Sequence, residues 1–315
     1  MQIIRTLLDR PKALSHAVAA IGNFDGVHKG HLAILDHVKQ IAARSGRPAS
    51  VLTFSPHPRR FFQPHIAPFE LMSPAAKHAR LAALGLDAVF DIPFNGDLAQ
   101  LSAHAFAQDV LKEGLDLSHV IVGDDFHFGK GRAGTPDTLR ALGADLGFDV
   151  TVMPEIDLDG GRISSSTIRA ALAKGDLRTA NAMLGHRHRY QGPVIHGEKR
   201  GRELGYPTAN MDVTGLHLAK FGVYAVEVTV CDGAHQGRYH GAASLGVRPM
   251  FGENTPNLET FIFDFKGDLY GAEVSIALVE FLRPEENFAS LEGLMDQMAH
   301  DCATARDILE TTCPI

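Results

Sequence analysis

The chain has 315 residues, 45% of them hydrophobic, a length that suits about two domains and an apolar content sufficient to fill their cores. Its 37 acidic and 30 basic side chains give a formal charge of −7, which argues against a nucleic acid or an anionic membrane as the main partner, since either favours a basic face. No run reaches membrane-spanning length, and the N-terminus lacks the basic stretch and long apolar core of a targeting signal.

Val18, Ala19, Ala20 and Ile21 predict a buried strand, and the Gly22-Asn23 and Asp25-Gly26 steps that follow are turn signals. From His31 onward, Leu32, Leu35, Val38, Ile41 and Ala42 recur at helical spacing, with Gly46 where a helix would end. A strand, a glycine-rich turn and a helix in that order let backbone N–H groups and the positive end of the helix dipole meet a phosphate. His28 and His31 would flank that anion. A zinc site would need further ligands at suitable spacing, and none is evident. The plainer alternative is that both histidines only cap or decorate a helix start.

The segments Leu52-Thr53-Phe54-Ser55-Pro56-His57-Pro58 and Val120-Ile121-Val122-Gly123-Asp124-Asp125, the latter continuing to Arg132, are apolar runs ending in polar turns. In open α/β sheets ligands bind beyond such carboxyl ends of strands. Helical stretches at 75–84, 103–111 and 136–146 alternate with the strands, the pattern of a parallel α/β sheet. Ser164, Ser165, Ser166 and Thr167 then precede a helix that carries Arg169. Such hydroxyls either cap exposed N–H groups or bind a phosphate, and Arg169 adds a planar donor fork suited to phosphate oxygens.

Near residue 185 strands take over. Residues 221–230 alternate, with Tyr224, Val226, Val228 and Val230 on one face and Glu227 and Thr229 on the other. Similar runs at 190–196, 239–245, 259–265 and 273–281 predict a small barrel. Residues 196–210 form a glycine-rich, positively charged loop leading into Pro207-Thr208-Ala209-Asn210, a setting that suits phosphates without matching the P-loop pattern. Its last letters recur as Thr179-Ala180-Asn181 in a helical stretch, so composition alone leaves the loop's role open. A stripe from Phe288 through Leu291, Met295, Met298, Cys302 and Ala305 to Ile308 predicts a closing helix that packs along this face. Cys231, Cys302 and Cys313 are widely spaced and odd in number, which fits a reduced cytoplasm.

The Phe24-Asp25-Gly26-Val27-His28-Lys29-Gly30-His31 run resembles the His-x-x-His motif of the nucleotidyltransferase superfamily, and residues 162–169 are similar to its Ile-Ser-Ser-Thr-x-x-Arg motif. The segments around His57 and Asp125 resemble its flavin adenylyltransferase branch. Gly205-Tyr206-Pro207-Thr208-Ala209-Asn210, Leu258-Glu259-Thr260-Phe261-Ile262, Asp268-Leu269-Tyr270-Gly271 and Phe281-Leu282-Arg283-Pro284-Glu285 resemble riboflavin kinase in order. Nearly the whole chain therefore resembles the prokaryotic bifunctional riboflavin kinase and FAD synthetase (FMN adenylyltransferase) family. The resemblance implies an α/β Rossmann-like nucleotidyltransferase domain over 1–185, then a Greek-key β-barrel riboflavin kinase domain with a C-terminal helix over 186–315.

By the same resemblance, ATP in the first domain meets Gly22, Asn23, Phe24, Gly26, His28, Gly30 and His31, the two histidines stabilising its α-phosphate, and Ser164, Ser165, Ser166 and Arg169 hold the triphosphate. His57, Asp125 and Arg132 face the flavin. In the barrel, Gly201, Gly205, Pro207, Thr208 and Asn210 bind ATP, Thr208 and Asn210 also hold Mg²⁺, and Glu259 is the base. Arg283 neighbours the flavin or forms a structural ion pair. Three positions depart from the family: Ser166 replaces a threonine, His127 a frequent arginine and Met250 a common hydroxyl residue. The expected partners are riboflavin, FMN and ATP, with no nucleic acid and no membrane, in the cytoplasm, and FMN is released into solvent between the reactions. Oligomeric state is not legible. Rival readings are adenylylation of another phosphate such as phosphopantetheine, cytidylyl transfer, an aminoacyl-tRNA synthetase, retention of only one of the two activities, or a non-catalytic flavin-binding or regulatory protein.

Overall fold

The computed structural model describes residues 1–7, 10–154, 157–158, 161–197, 204–250 and 253–312. These fall into two compact units, one of Met1–Ile66 with Pro74–Ile163 and one of Ala67–Ser73 with Ser164–Ile315.

The first unit runs β1 (Gln2–Ile4), β2 (Val18–Ile21), α1 (Lys29–Ser45), β3 (Ala49–Ser55), α2 (Pro58–Phe62), α3 (Pro74–Ala83), β4 (Ala88–Pro93), α4 (Gly96–Gln100) and α5 (Ala103–Ala105). A π-helical stretch (Phe106–Gly114) continues α5, and β5 (His119–Gly123), α6 (Pro136–Leu146), β6 (Asp149–Met153) and the hairpin β7 (Asp157–Leu158) with β8 (Gly161–Arg162) follow. Six strands form one parallel sheet in the order β1-β4-β3-β2-β5-β6. All four residues of β2 are buried, as a strand covered on both faces requires. The order reverses between β2 and β5, which marks the crevice where open α/β sheets bind ligands. Helix α1 stops where Gly46 turns left-handed (φ 64°) and its N–H reaches back to Ala42 and Ala43. The helix expected over 103–111 is present, rewound to π geometry from Phe106.

The second unit comprises α7 (Ser165–Lys174), α8 (Leu177–Leu184), β9 (Arg189–Pro193), β10 (Thr208–Asp212), β11 (Gly222–Val230), β12 (Gly237–Met250), β13 (Glu253–Ile262), β14 (Glu273–Arg283) and α9 (Leu291–Thr311). Its antiparallel sheet has the order β10-β13-β12-β11-β14-β9, and a bridge between Ile195 and Asn210 brings the two edges together into a nearly closed barrel. Strand β11 alternates as its sequence predicts, with Tyr224, Val226, Val228 and Val230 buried. These side chains pack with Leu245, Leu258 and Ile276, and with Ile168, Leu172 and Leu184 of α7 and α8. Both helices thus join the barrel core although they precede the onset of strand character near residue 185. Helix α9 packs through Ala305, Leu309, Cys302 and Ile308 against Ala225, Phe263 and Val279. The predicted packing stripe holds only for this second half, because Leu291 is 58% and Met295 38% exposed. Cys231 and Cys302 are free thiols, and Cys313 lies outside the described residues. Among the described residues no helix is long and apolar enough to cross a membrane.

Candidate active sites

Leaving the fully buried β2, the chain turns tightly, with Phe24, Gly26 and Val27 at φ of 50°, 84° and 40°. A positive φ is costly for β-branched Val27, and its complete burial beside Phe24 holds the turn in that shape. The turn delivers His28 as the N-cap of α1, where its Nδ1 accepts from the His31 N–H at 3.3 Å. With Nδ1 an acceptor, neutral His28 carries its proton on Nε2, the geometry of a donor. A Cβ at residue 30 would stand 3.1 Å from that Nδ1, so Gly30 gives the imidazole its room. The His28 and His31 rings stack with centroids 3.6 Å apart, and Phe24 flanks His31 at 5.0 Å. The Nδ1 of His31 is shut from solvent with no hydrogen-bond partner among the described residues. Burial first, then the charges of His28 and Lys77, hold the His31 pKa well below its usual 6.5, so this imidazole is neutral at physiological pH. The uncharged His31 ring, stacked on His28 at a helix N-terminus, can donate to a phosphate and needs no base nearby.

Beneath the turn lies a residue the sequence did not single out. Lys77 of α3 is only 9% exposed and donates to the Asn23 carbonyl at 3.2 Å and to Thr53 Oγ1 at 3.0 Å. A lone lysine on an amphipathic helix reads as a solvated residue, and no spacing signal marks it. No cluster of three or more histidines, cysteines or carboxylates suited to a metal occurs among the described residues.

The residues expected to face flavin occupy loops of this same unit. His57 is the N-cap of α2, its Nδ1 accepting from the Arg59 N–H at 3.1 Å. Asp125, just past β5, pairs with Arg162 at 3.2 Å, and its carbonyl oxygen stands 2.8 Å from Nδ1 of His127. Arg132 is exposed at the end of a short turn with φ of 59°, close in sequence to exposed Lys130.

In the second unit, Ser164 caps α7. Its hydroxyl accepts from the Thr167 N–H at 3.1 Å while Thr167 Oγ1 accepts from the Ser164 N–H at 3.0 Å, a reciprocal capping box. Ser165 opens the helix. Ser166 Oγ accepts from Arg169 Nη2 at 3.0 Å, a bond that needs the hydroxyl and not the methyl of threonine. Arg169 also donates to the Phe69 carbonyl at 3.3 Å and stacks on the Phe69 ring at 5.6 Å.

The barrel gathers a second polar cluster. Thr208 and Asn210 share one face of β10, and Asn210 is directly opposite Glu259 of β13, so all three side chains project from the same side of the sheet. Asn257, two residues before Glu259, donates through one amide to both Asn210 Oδ1 and Glu259 Oε1, each at 3.1 Å. This orienting amide was also missed, although the two-residue spacing from Glu259 could have flagged it. Gly197 passes so near that a Cβ would come within 2.4 Å of Asn210 Nδ2. The donors at Thr208, Asn210 and Glu259 are oxygens, the set a hard cation such as Mg²⁺ prefers. A small pocket of about 80 Å³ opens beside Thr208, lined by Val194, Pro207, Phe265, Leu269 and Tyr270 among others. Gly205 turns left-handed (φ 84°) before it; Gly201 and the Met250 side chain lie outside what is described. Arg283 is engaged otherwise: Nε and Nη2 grip Asp301 of α9 at 2.8–3.1 Å, and Nη1 donates to the Pro284 carbonyl at 3.0 Å. The structure thus realises the ion-pair alternative for Arg283.

A parallel sheet with a histidine-bearing turn, joined in one chain to a barrel that sets a carboxylate opposite a Thr-Ala-Asn strand, defines a two-part transferase of flavin and nucleotide chemistry. Family models agree for each part: FAD synthetase over residues 10–167 and riboflavin kinase over 184–309. The chain is 41% identical over 307 residues to the bifunctional riboflavin kinase/FMN adenylyltransferase of Pseudomonas fluorescens, covering 97% of each chain. It is 37% identical over 315 residues to the protein of the same description from Escherichia coli K12, covering 100% of each. A solved structure described as a macrolide-efflux protein from Streptococcus pneumoniae superposes with a TM-score of 0.84 at 28% identity, over 97% of this chain and 98% of that one. The chain belongs to the bifunctional riboflavin kinase/FMN adenylyltransferase family.

Proposed function

We propose that the chain converts riboflavin to FMN in its barrel and FMN to FAD in its α/β domain, using one ATP for each step. The observation that carries this reading is the presence of both polar sites on one chain that matches bifunctional relatives end to end. In the first reaction, Glu259 takes the proton of the 5′-hydroxyl of riboflavin as that oxygen bonds to the γ-phosphorus of ATP and ADP departs. Asn257 holds the carboxylate in place for this transfer. Thr208 and Asn210 are the oxygen donors that would hold Mg²⁺, whose charge would offset that of the phosphates. Gly201, Gly205 and Pro207 line the ATP loop, and Arg283 acts by holding α9.

In the second reaction a phosphate oxygen of FMN bonds to the α-phosphorus of ATP and pyrophosphate leaves. That nucleophile is already anionic, so alignment and donation of hydrogen bonds suffice. His28, through Nε2, and His31 donate to the α-phosphate, and the turn residues Gly22, Asn23, Phe24, Gly26 and Gly30 shape the cradle. Ser164, Ser165, Ser166 and Arg169 take the remaining phosphates, while His57, Asp125 and Arg132 take the flavin. Catalytic residues divide between 1–185 and 186–315, the protein works in the cytoplasm, and FMN passes through solvent. Incubation with riboflavin, ATP and MgCl₂, followed by chromatography, tests the reading: FMN should rise and then give way to FAD with pyrophosphate. FMN alone would remove the transferase, and neither product would leave a flavin binder.

A further inference from the structure

Lysine is almost never buried unless its charge does work there. Lys77 is the single buried lysine or arginine among the described residues of the first unit. Its ammonium joins two different elements: the Asn23 carbonyl of the turn after β2, and the Thr53 hydroxyl of β3, which itself donates to the same Asn23 carbonyl at 3.3 Å. The helix that carries it is anchored one residue on. His78 Nε2 stands 3.0 Å from Asp91 Oδ2 of β4, and Ser55 Oγ of β3 donates to the other carboxylate oxygen at 2.7 Å. Lys77 is thereby held from both sides, and its own side chain holds the strained turn that presents the histidines.

We propose that Lys77 is the positioning residue of the adenylyl-transfer cradle, pinning the Asn23 turn to β3 and keeping a fixed cation behind the paired imidazoles. This rests on the transferase reading above. His31 supplies a donor without charge, whereas a transition state at an α-phosphate accumulates negative charge, and the Lys77 side chain places a basic group at the site. The groups whose charge lowers the His31 pKa are His28 of the turn and Lys77 of α3. Asp25, 7% exposed, and exposed Lys29 complete the charged side chains of that turn. Removing Lys77 therefore loosens the turn and lets His31 protonate more readily.

The test is Lys77→Met in the full-length protein, with FMN-to-FAD turnover, riboflavin kinase activity and the NMR titration of the His31 imidazole measured together. Turnover to FAD should fall on the order of 100-fold in kcat with a much smaller change in the KM for FMN. The His31 midpoint should move upward, and kinase activity should stay within about twofold, since Lys77 lies outside the barrel unit. Unchanged FAD turnover together with an unmoved His31 midpoint would overturn the proposal. Should Lys77→Met disrupt the first unit, Thr53→Val decides, because it deletes both bonds of the hydroxyl, the one accepted from Lys77 and the one donated to the Asn23 carbonyl, at nearly constant volume; full turnover in that variant overturns the proposal equally. A wild-type protein that makes no FAD at all defeats the transferase reading instead.

Discussion

His188 offers a quantitative test of the barrel's interior. It is 2% exposed, its backbone N–H donates to Asn181 Oδ1 at 2.7 Å, and its ring meets Tyr190 edge-on at 4.9 Å. Its Nε2 has no hydrogen-bond partner among the described residues. Burial, reinforced by His186, His217 and Arg189, pulls its pKa from 6.5 to about 3. The unfolded chain binds a proton as pH drops through 6.5, whereas the folded barrel refuses it down to about 3, so stability declines across that interval. At about 1.4 kcal/mol per pH unit, the two units below 6.5 cost about 3 kcal/mol. His188→Phe keeps the ring and its contact with Tyr190 but cannot titrate. Urea unfolding of both proteins at about pH 7.5 and about pH 4.5 measures the difference. Tyrosine fluorescence reports the barrel unit alone, because all 5 tyrosines lie within it and the chain has no tryptophan. Wild type should lose about 3 kcal/mol more than the variant on acidification. Equal losses would refute a buried neutral His188, since the other histidines are common to both proteins.

Further outcomes follow from the barrel's polar contacts. Asn257→Leu removes both amide bonds and should lower kcat for FMN formation about tenfold or more, with KM for riboflavin little changed; an unaltered kcat would dismiss its orienting role. Arg283→Met leaves the 6% exposed Asp301 without a cationic partner, with only the Gln297 amide at 2.9 Å, and should cost about 3 kcal/mol in urea unfolding. A higher KM for riboflavin at unchanged stability would instead make Arg283 a ligand residue. An FMN-sequestering protein added during turnover of riboflavin should reduce FAD output, and undiminished FAD would contradict release into solvent.

The elements most legible in the sequence were those with strong local signals. The alternation at 221–230, the helical stretch at 136–146 and the β2-turn-α1 unit follow from local periodicity and turn signals, and the structure has a strand or helix at each. The motifs pointed to segments that the structure gathers into two polar clusters. What pattern did not reveal was how side chains are shared between local and long-range duties. Ser164 and His57 both serve as helix caps, a use that depends on where the helix starts. Helices α7 and α8 lie upstream of the strands, yet their apolar faces are completed by the barrel, a pairing no local window contains. Lys77 escaped notice because the Asn23 carbonyl it holds is 54 residues away in the chain, and only the bond from Asn257 to Asn210 spans a comparable 47, its bond to Glu259 being local. The exposed half of α9 breaks its own apolar stripe, since periodicity reports a helix face and not whether anything covers it.

The central claim is that two chemically independent sites share this chain, and paired single substitutions test it most directly. Glu259→Gln should abolish FMN formation from riboflavin while converting supplied FMN to FAD at the wild-type rate, and His28→Ala should do the reverse. If either variant loses both reactions while folded, or keeps both, the division of labour between the carboxylate of β13 and the imidazole at the start of α1 is wrong.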